Sequence, residues 1–145
     1  MRCYTVDASV VAKWHFPEDL SDAASALLAQ AIAGAVRLVA PEFLLCEMGS
    51  VIVKKLRANQ VRRDDAEIIL ASLPTGPVSF VSVERLLPRA LALAMTAGAS
   101  FYDALYLAVG EECEGTLLTA DAALINQARG NGLAHMVTSL DELGI

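Results

Sequence analysis

At 145 residues the chain has the size of one domain, which excludes two comfortable ones and leads us to expect a single unit over residues 1–145. Its net charge of −6 and pI near 4.8 exclude a nonspecific electrostatic grip on nucleic acid, so any RNA contact has to be local. Hydrophobic residues reach 55% against 19% charged, which excludes a disordered composition and demands cover: a sheet buried on both faces, a homo-oligomer interface or a tightly held partner.

In chain order, Arg2 to Val6 reads as a strand, and Asp7 to Trp14 turns helical before Pro17 interrupts it. Ser21 to Ala33 is an alanine- and leucine-rich helix with an acidic start, and Gly34 is placed to end it. Val36 to Ala40 is the second strand, and Pro41 with Glu42 opens a long helix from Phe43 to about Asn59 with a basic end. Arg62 to Leu73 is helical and is closed by Pro74, Gly76 and Pro77 ahead of the strand Val78 to Val83. Glu84 to Ala97 forms a helix with Pro88 in its first turns, and Gly98 stops it. A helix from Ser100 through about Cys113 leads to the strand Thr116 to Thr119, the helix Asp121 to Arg129 and a last strand near His135 to Val137. Strands alternating with helices predict an α/β fold with a central parallel sheet, right-handed crossovers and helices on both faces.

Arg37, Glu42, Glu47, Asp103 and Glu111 interrupt every apolar stretch before the roughly 18 residues a membrane helix needs, so no span is expected. Met1 to Asp7 is too short and too soon acidic for a secretory signal, which points to a cytoplasmic address. Cys3, Cys46 and Cys113 are an odd, scattered set with no C-x-x-C pair, and only His15 and His135 could join them, so neither disulfides nor zinc is indicated.

Four acids carry the chemical argument. Asp7 and Asp121 each follow a strand and precede a helix, the place where open parallel sheets build their sites. Taken alone, Asp7 reads first as an N-cap, Asp121 is another fitting cap, and Ser100 with Asp103 fits a capping box. Glu47 is different: it lies mid-helix, with Phe43 and Leu44 a turn before it and Val51 a turn after. Its face is expected to be buried, and a buried carboxylate needs a cation, a proton or a salt bridge. Clustered carboxylates with only oxygen donors suit Mg²⁺ or Mn²⁺. Such an ion can acidify water and offset charge on a leaving oxygen, which is nuclease chemistry without a histidine base. Ser9 and Thr119 stand two residues from Asp7 and Asp121 and could hold a carboxylate, or simply cap. His15 and His135 read as structural, and Lys54, Lys55, Arg57, Arg62 and Arg63 as a solvated helix end with an RNA-backbone role as the alternative.

The run Val6-Asp7-Ala8-Ser9-Val10-Val11-Ala12-Lys13-Trp14, with Pro41-Glu42-Phe43-Leu44-Leu45-Cys46-Glu47, resembles the opening half of PIN-domain proteins, especially VapC-type toxins. Phe101-Tyr102-Asp103-Ala104-Leu105-Tyr106-Leu107-Ala108 and Leu118-Thr119-Ala120-Asp121 resemble the closing half. The resemblance implies a three-layer α/β/α PIN-like domain. It also implies a catalytic, metal-binding quartet of Asp7, Glu47, Asp103 and Asp121, supported by Ser9 and Thr119, with Mg²⁺ or Mn²⁺ as cofactor. RNA would be the substrate, the chain would be a homodimer, and a cognate antitoxin would occupy the groove near the acids, as in a type II toxin–antitoxin pair. Two departures stand out: Met48, Gly49 and Ser50 follow Glu47 where a small residue and Asn are common, and Ala122 and Ala123 follow Asp121 where a further acid or amide often stands. The second bears on whether a second metal site is complete.

Three rivals use the same acids differently. A Mg²⁺-binding phosphoacceptor domain would need an early acidic pair and a late lysine, yet no Lys follows Lys55. An aspartyl phosphatase would need a second carboxylate in Asp7-Ala8-Ser9. A non-catalytic PIN-like binding module would treat the acids as caps and dock a partner on its apolar surface.

Overall fold

The computed structural model describes residues 1–144. Its five strands, β1 (Arg2–Val6), β2 (Val36–Pro41), β3 (Val78–Val81), β4 (Thr116–Thr119) and β5 (Val137–Ser139), form one sheet in the order β3-β2-β1-β4-β5. Every pairing is parallel, so each connection has to cross over, and helices supply the crossovers. Helices α1 (Ala8–His15) and α2 (Ser21–Ile32) join β1 to β2, and α3 (Leu44–Arg57) and α4 (Arg63–Ser72) join β2 to β3. Helices α5 (Leu87–Ala97) and α6 (Phe101–Glu112) return the chain to β4, and α7 (Ala122–Gly130) leads to β5. Because the direction across the sheet reverses after β3, right-handed crossovers put the first four helices on one face and the last three on the other. The expected three-layer α/β/α architecture is what the chain adopts.

Helix α6 organises the core. Ala104 to Gly110 are buried without a break, as in a helix enclosed on all sides, and the helix packs against β1, β2 and β4. Gly110 permits the close approach: a Cβ there would lie 3.2 Å from the Leu117 amide nitrogen. Gly115 is more constrained still, since its Cβ would fall 1.9 Å from the Cys3 carbonyl oxygen, so only glycine lets β4 enter the sheet beside β1. No helix among the described residues is long and apolar enough to cross a membrane, and the apolar pair ahead of β4 bends by 114° at its break.

Three predicted boundaries shift. The helix expected over Glu84 to Ala97 begins as a 3₁₀ turn at Glu84–Leu86, and Pro88 sits in the first turn of α5, where its missing N–H costs nothing. The third strand ends at Val81, two residues early. The last strand is displaced: Ala134–Met136 form a 3₁₀ turn and pairing begins at Val137, because the register with Leu117 is set there. His135 is exposed on that turn rather than leading the strand.

Strand order changes direction between β1 and β4, and this is where an open parallel sheet leaves a crevice beyond its carboxyl ends. The register Val6 opposite Leu118 makes Asp7 and Thr119 the next neighbours, at the mouth of that crevice.

Candidate active site at the sheet switch point

The crevice wall built by β1 and β4 is a closed hydrogen-bond network. Asp7 is 7% exposed and caps α1, its Oδ1 accepting from the Ser9 amide at 3.1 Å and the Ser9 hydroxyl at 2.5 Å. Its Oδ2 accepts from the Thr119 hydroxyl at 2.5 Å. Thr119 Oγ1 in turn accepts from the Asp121 amide at 3.1 Å, and Ser9 Oγ accepts from the Ala120 amide at 3.0 Å. The two hydroxyls lie 3.2 Å apart. Thus Ser9 and Thr119 stitch the two strand exits together across more than a hundred residues of sequence, and both hold the Asp7 carboxylate. Asp121 is exposed and caps α7, with Oδ1 accepting from the Ala123 and Leu124 amides at 3.0 and 3.2 Å. The capping expected of Asp7 and Asp121 is present, and the same two carboxyl groups lie at the switch point.

The opposite wall comes from α3 and α6 and is looser. Asp103 sits in the first turn of α6, where its amide donates to the Ser100 hydroxyl at 3.1 Å. Among the described residues its carboxylate accepts no bond from the Ser100 amide, so the expected capping box is only half formed, and the half-buried carboxyl group lies within reach of the charges of Asp121 and Glu47. Glu47 corrects the expectation of a buried face. The buried stripe of α3 is Leu44, Met48 and Ile52, and Glu47 lies a quarter-turn aside, half-buried at the margin. That margin is covered by Tyr106 of α6, whose hydroxyl lies close enough to the Glu47 carboxyl to act on it as a donor, although the geometry of a closed hydrogen bond is not met.

Electrostatics tie the four acids into one site. Burial pushes the Asp7 carboxyl up; the Ser9 and Thr119 hydroxyls pull it back, and the charge of Asp121 adds to the rise. Glu47 is pushed up to about 6, first by burial and then by the charges of Asp7 and Asp103, and is eased by the Tyr106 hydroxyl. Asp103 is raised by burial, eased by Ser100, and raised again by Asp121. Each acid therefore acts on, or is acted on by, at least one other, although they come from four separate segments. Among the described residues no three of them yet stand close enough together to enclose a cation.

Tyr106 is the residue that motif reading passed over. Its signal was the i, i+3 spacing from Asp103, which puts both on one face of α6. The other residues singled out earlier lie elsewhere. His15 is half-buried beside an apolar cavity lined by Trp14, Leu28 and Met48, and burial lowers its pKa. Lys55 pairs with Glu18 at 3.5 Å and Arg63 with Glu67 at 2.9 Å, whereas Lys54, Arg57 and Arg62 are exposed and make no ion pair among the described residues.

With this geometry in view, the comparisons with known proteins agree on one family. The family model described as PIN domain matches residues 4–130. Ribonuclease VapC3 of Pyrobaculum aerophilum is 32% identical over 121 residues, which are 82% of this chain and 89% of that protein. The crystal structure of PAE2754 from Pyrobaculum aerophilum superposes with a TM-score of 0.68 at 22% identity, covering 98% of this chain and 93% of that one, a likeness of fold. The sheet order, the acids at its switch point and a match over most of the sequence lead to one assignment: the chain belongs to the PIN-domain family, in its VapC-type branch.

Proposed function

We propose that the chain is a VapC-type endoribonuclease, the toxin of a type II toxin–antitoxin pair, that cuts RNA phosphodiesters with Mg²⁺ or Mn²⁺ held among Asp7, Glu47, Asp103 and Asp121. The observation that carries this reading is the placing of four carboxyl groups from separate segments around the switch-point crevice, none of them in an ion pair with a lysine, arginine or histidine among the described residues. A hard divalent cation fits the all-oxygen donor set and removes the repulsion among these groups. The bound ion would supply an acidified water and charge compensation for the leaving oxygen.

The residues divide the work. Ser9 and Thr119 hold Asp7 in one orientation, so its carboxylate is aimed before anything binds. Asp103 and Glu47 are half-buried on helix margins and would complete the donor set, with Asp121 at the start of α7 as its last member. Lys54 lies two turns beyond Glu47 on the same face of α3, about 10 Å along the axis, suited to an RNA phosphate next to the scissile one. The same proposal includes a cytoplasmic homodimer. Leu87, Leu91 and Met95 form an exposed apolar stripe on α5, 40%, 58% and 79% accessible, that a second copy would cover. The antitoxin segment is assigned to the groove between α3 and α4, a cavity of about 670 Å³ that begins beside Glu47 at Cys46 and Ser50.

A non-catalytic binding module draws on one observation, that no three acids converge among the described residues. One experiment separates the readings. The purified chain and its Asp103→Asn variant are incubated with a panel of RNAs in Mg²⁺ or Mn²⁺, with and without EDTA. Discrete fragments lost on chelation and on substitution are expected. Absence of metal-dependent cutting across the panel would favour the binding module.

A further inference from the structure

The chemistry above leaves the Tyr106 hydroxyl unused. Tyr106 is 1% exposed, and its hydroxyl oxygen is buried with no hydrogen-bond partner among the described residues. Buried tyrosine hydroxyls normally find a partner, because a donor taken from water and left unpaired is costly. This one is also fixed in place. The Phe43 ring meets the Tyr106 ring edge-on at 5.2 Å and 79°, and meets Tyr102 at 5.2 Å and 72°. Phe43 stands at the start of α3, and its carbonyl accepts from the Glu47 amide at 3.0 Å. The aromatic contact that joins α3 to α6 therefore also sets the distance between the hydroxyl and the glutamate. The charged groups around the hydroxyl are Glu47, Asp7 and Asp103, all acids, so it can act there only as a donor.

We infer that Tyr106 is a positioning residue for Glu47: its O–H donates to the Glu47 carboxylate as that side chain turns into the crevice, aiming it at the divalent cation. The inference rests on the acidic-site reading. It explains how a glutamate at a helix margin, which accepts no side-chain hydrogen bond from its own helix among the described residues, can be a defined ligand. The hydroxyl plays the part for Glu47 that Ser9 and Thr119 play for Asp7, with the difference that its bond is not closed in the present geometry.

The test uses the RNA-free protein and Mn²⁺ alone, with free Mn²⁺ followed by electron paramagnetic resonance and melting followed in EDTA. Tyr106→Phe keeps the ring and its packing. It is expected to weaken Mn²⁺ binding about tenfold, equivalent to about 1.4 kcal/mol, without lowering the melting temperature in EDTA. Tyr102→Phe, which alters the neighbouring ring of the same cluster but an accessible hydroxyl, is expected to leave Mn²⁺ affinity unchanged. Unchanged affinity in Tyr106→Phe, with Asp7→Asn abolishing binding, would overturn the inference and spare the acidic site. A lowered melting temperature in EDTA would also overturn it, by making the hydroxyl a structural group. If the parent chain binds no Mn²⁺, or Asp7→Asn leaves binding intact, the acidic-site reading falls and the inference falls with it.

Discussion

The two walls of the crevice are built on opposite plans. On the β1 and β4 side, Asp7 and Asp121 accept hydrogen bonds from hydroxyls and amides, and Thr119 lies at the centre of the network with no exposure at all. On the α3 and α6 side, Glu47 and Asp103 are half-buried, the Asp103 cap is half formed and the Tyr106 hydroxyl closes no hydrogen bond among the described residues. Backbone pairing in the sheet settles the first wall to within a hydrogen bond, whereas the second depends on how two helices lean together. The contrast teaches that sheet pairing fixes the carboxyl groups of one wall in advance, whereas on the proposed reading the helical wall has to adjust to complete the site.

Asp7→Asn breaks the rigid wall most severely. Asparagine keeps an acceptor for the Ser9 amide but loses the charge, so the fold should persist while RNA cleavage falls on the order of 10³-fold, measured as kcat/KM on a defined RNA. Thr119→Val attacks the same wall through its support. It leaves Asp7 Oδ2 and the Asp121 amide without their partner, which should cost about 1–3 kcal/mol in chemical denaturation and weaken metal binding roughly 10- to 100-fold.

A third test addresses the loose wall through pH. Glu47 is raised from 4.5 to about 6, and Asp7 and Asp103 are also raised. A folded-state pKa above the unfolded one means that the folded chain binds more protons in that window, so stability rises as pH falls from 7 toward 5 and is lost as pH climbs back. Glu47 is half-exposed and screened, so its share stays below about 1 kcal/mol, a few degrees in a melt performed in EDTA. Saturating Mn²⁺ should flatten that dependence. The smallest effect sharpens the comparison by standing outside it. Arg89 pairs with Glu111 through two bonds of 2.8 Å on an accessible surface far along α6 from Asp103. Arg89→Ala should cost about 1 kcal/mol or less and leave cleavage unchanged.

The same division explains what could be read in the sequence. Strand-exit acids are visible because a short apolar run, an acid and a helix start occur together, and Asp7 and Asp121 were placed that way. Their partners were visible too, since Ser9 and Thr119 lie within two residues of them. The last strand was displaced because its pairing register, and not its own composition, decides that it begins at Val137. Glu47 was placed on a buried face because a helical wheel shows which residues are apolar neighbours but not which of them the sheet covers; the covered stripe is Leu44, Met48 and Ile52. Tyr106 was lost in a helix of apolar residues, where only the packing of Phe43 against it reveals a buried hydroxyl turned toward an acid. Local patterns thus disclosed the wall made by the sheet, while the wall made by two helices required their tertiary contact.

The most direct test of the account is a crystal structure of the chain soaked in Mn²⁺, with the ion located by anomalous scattering. The account predicts a single strong peak at the β1/β4 switch point, ligated by Asp7 and Asp103, with Glu47 turned inward from its present position and Asp121 at the edge of the site. A peak elsewhere on the surface, or none at the switch point under saturating Mn²⁺, would contradict it.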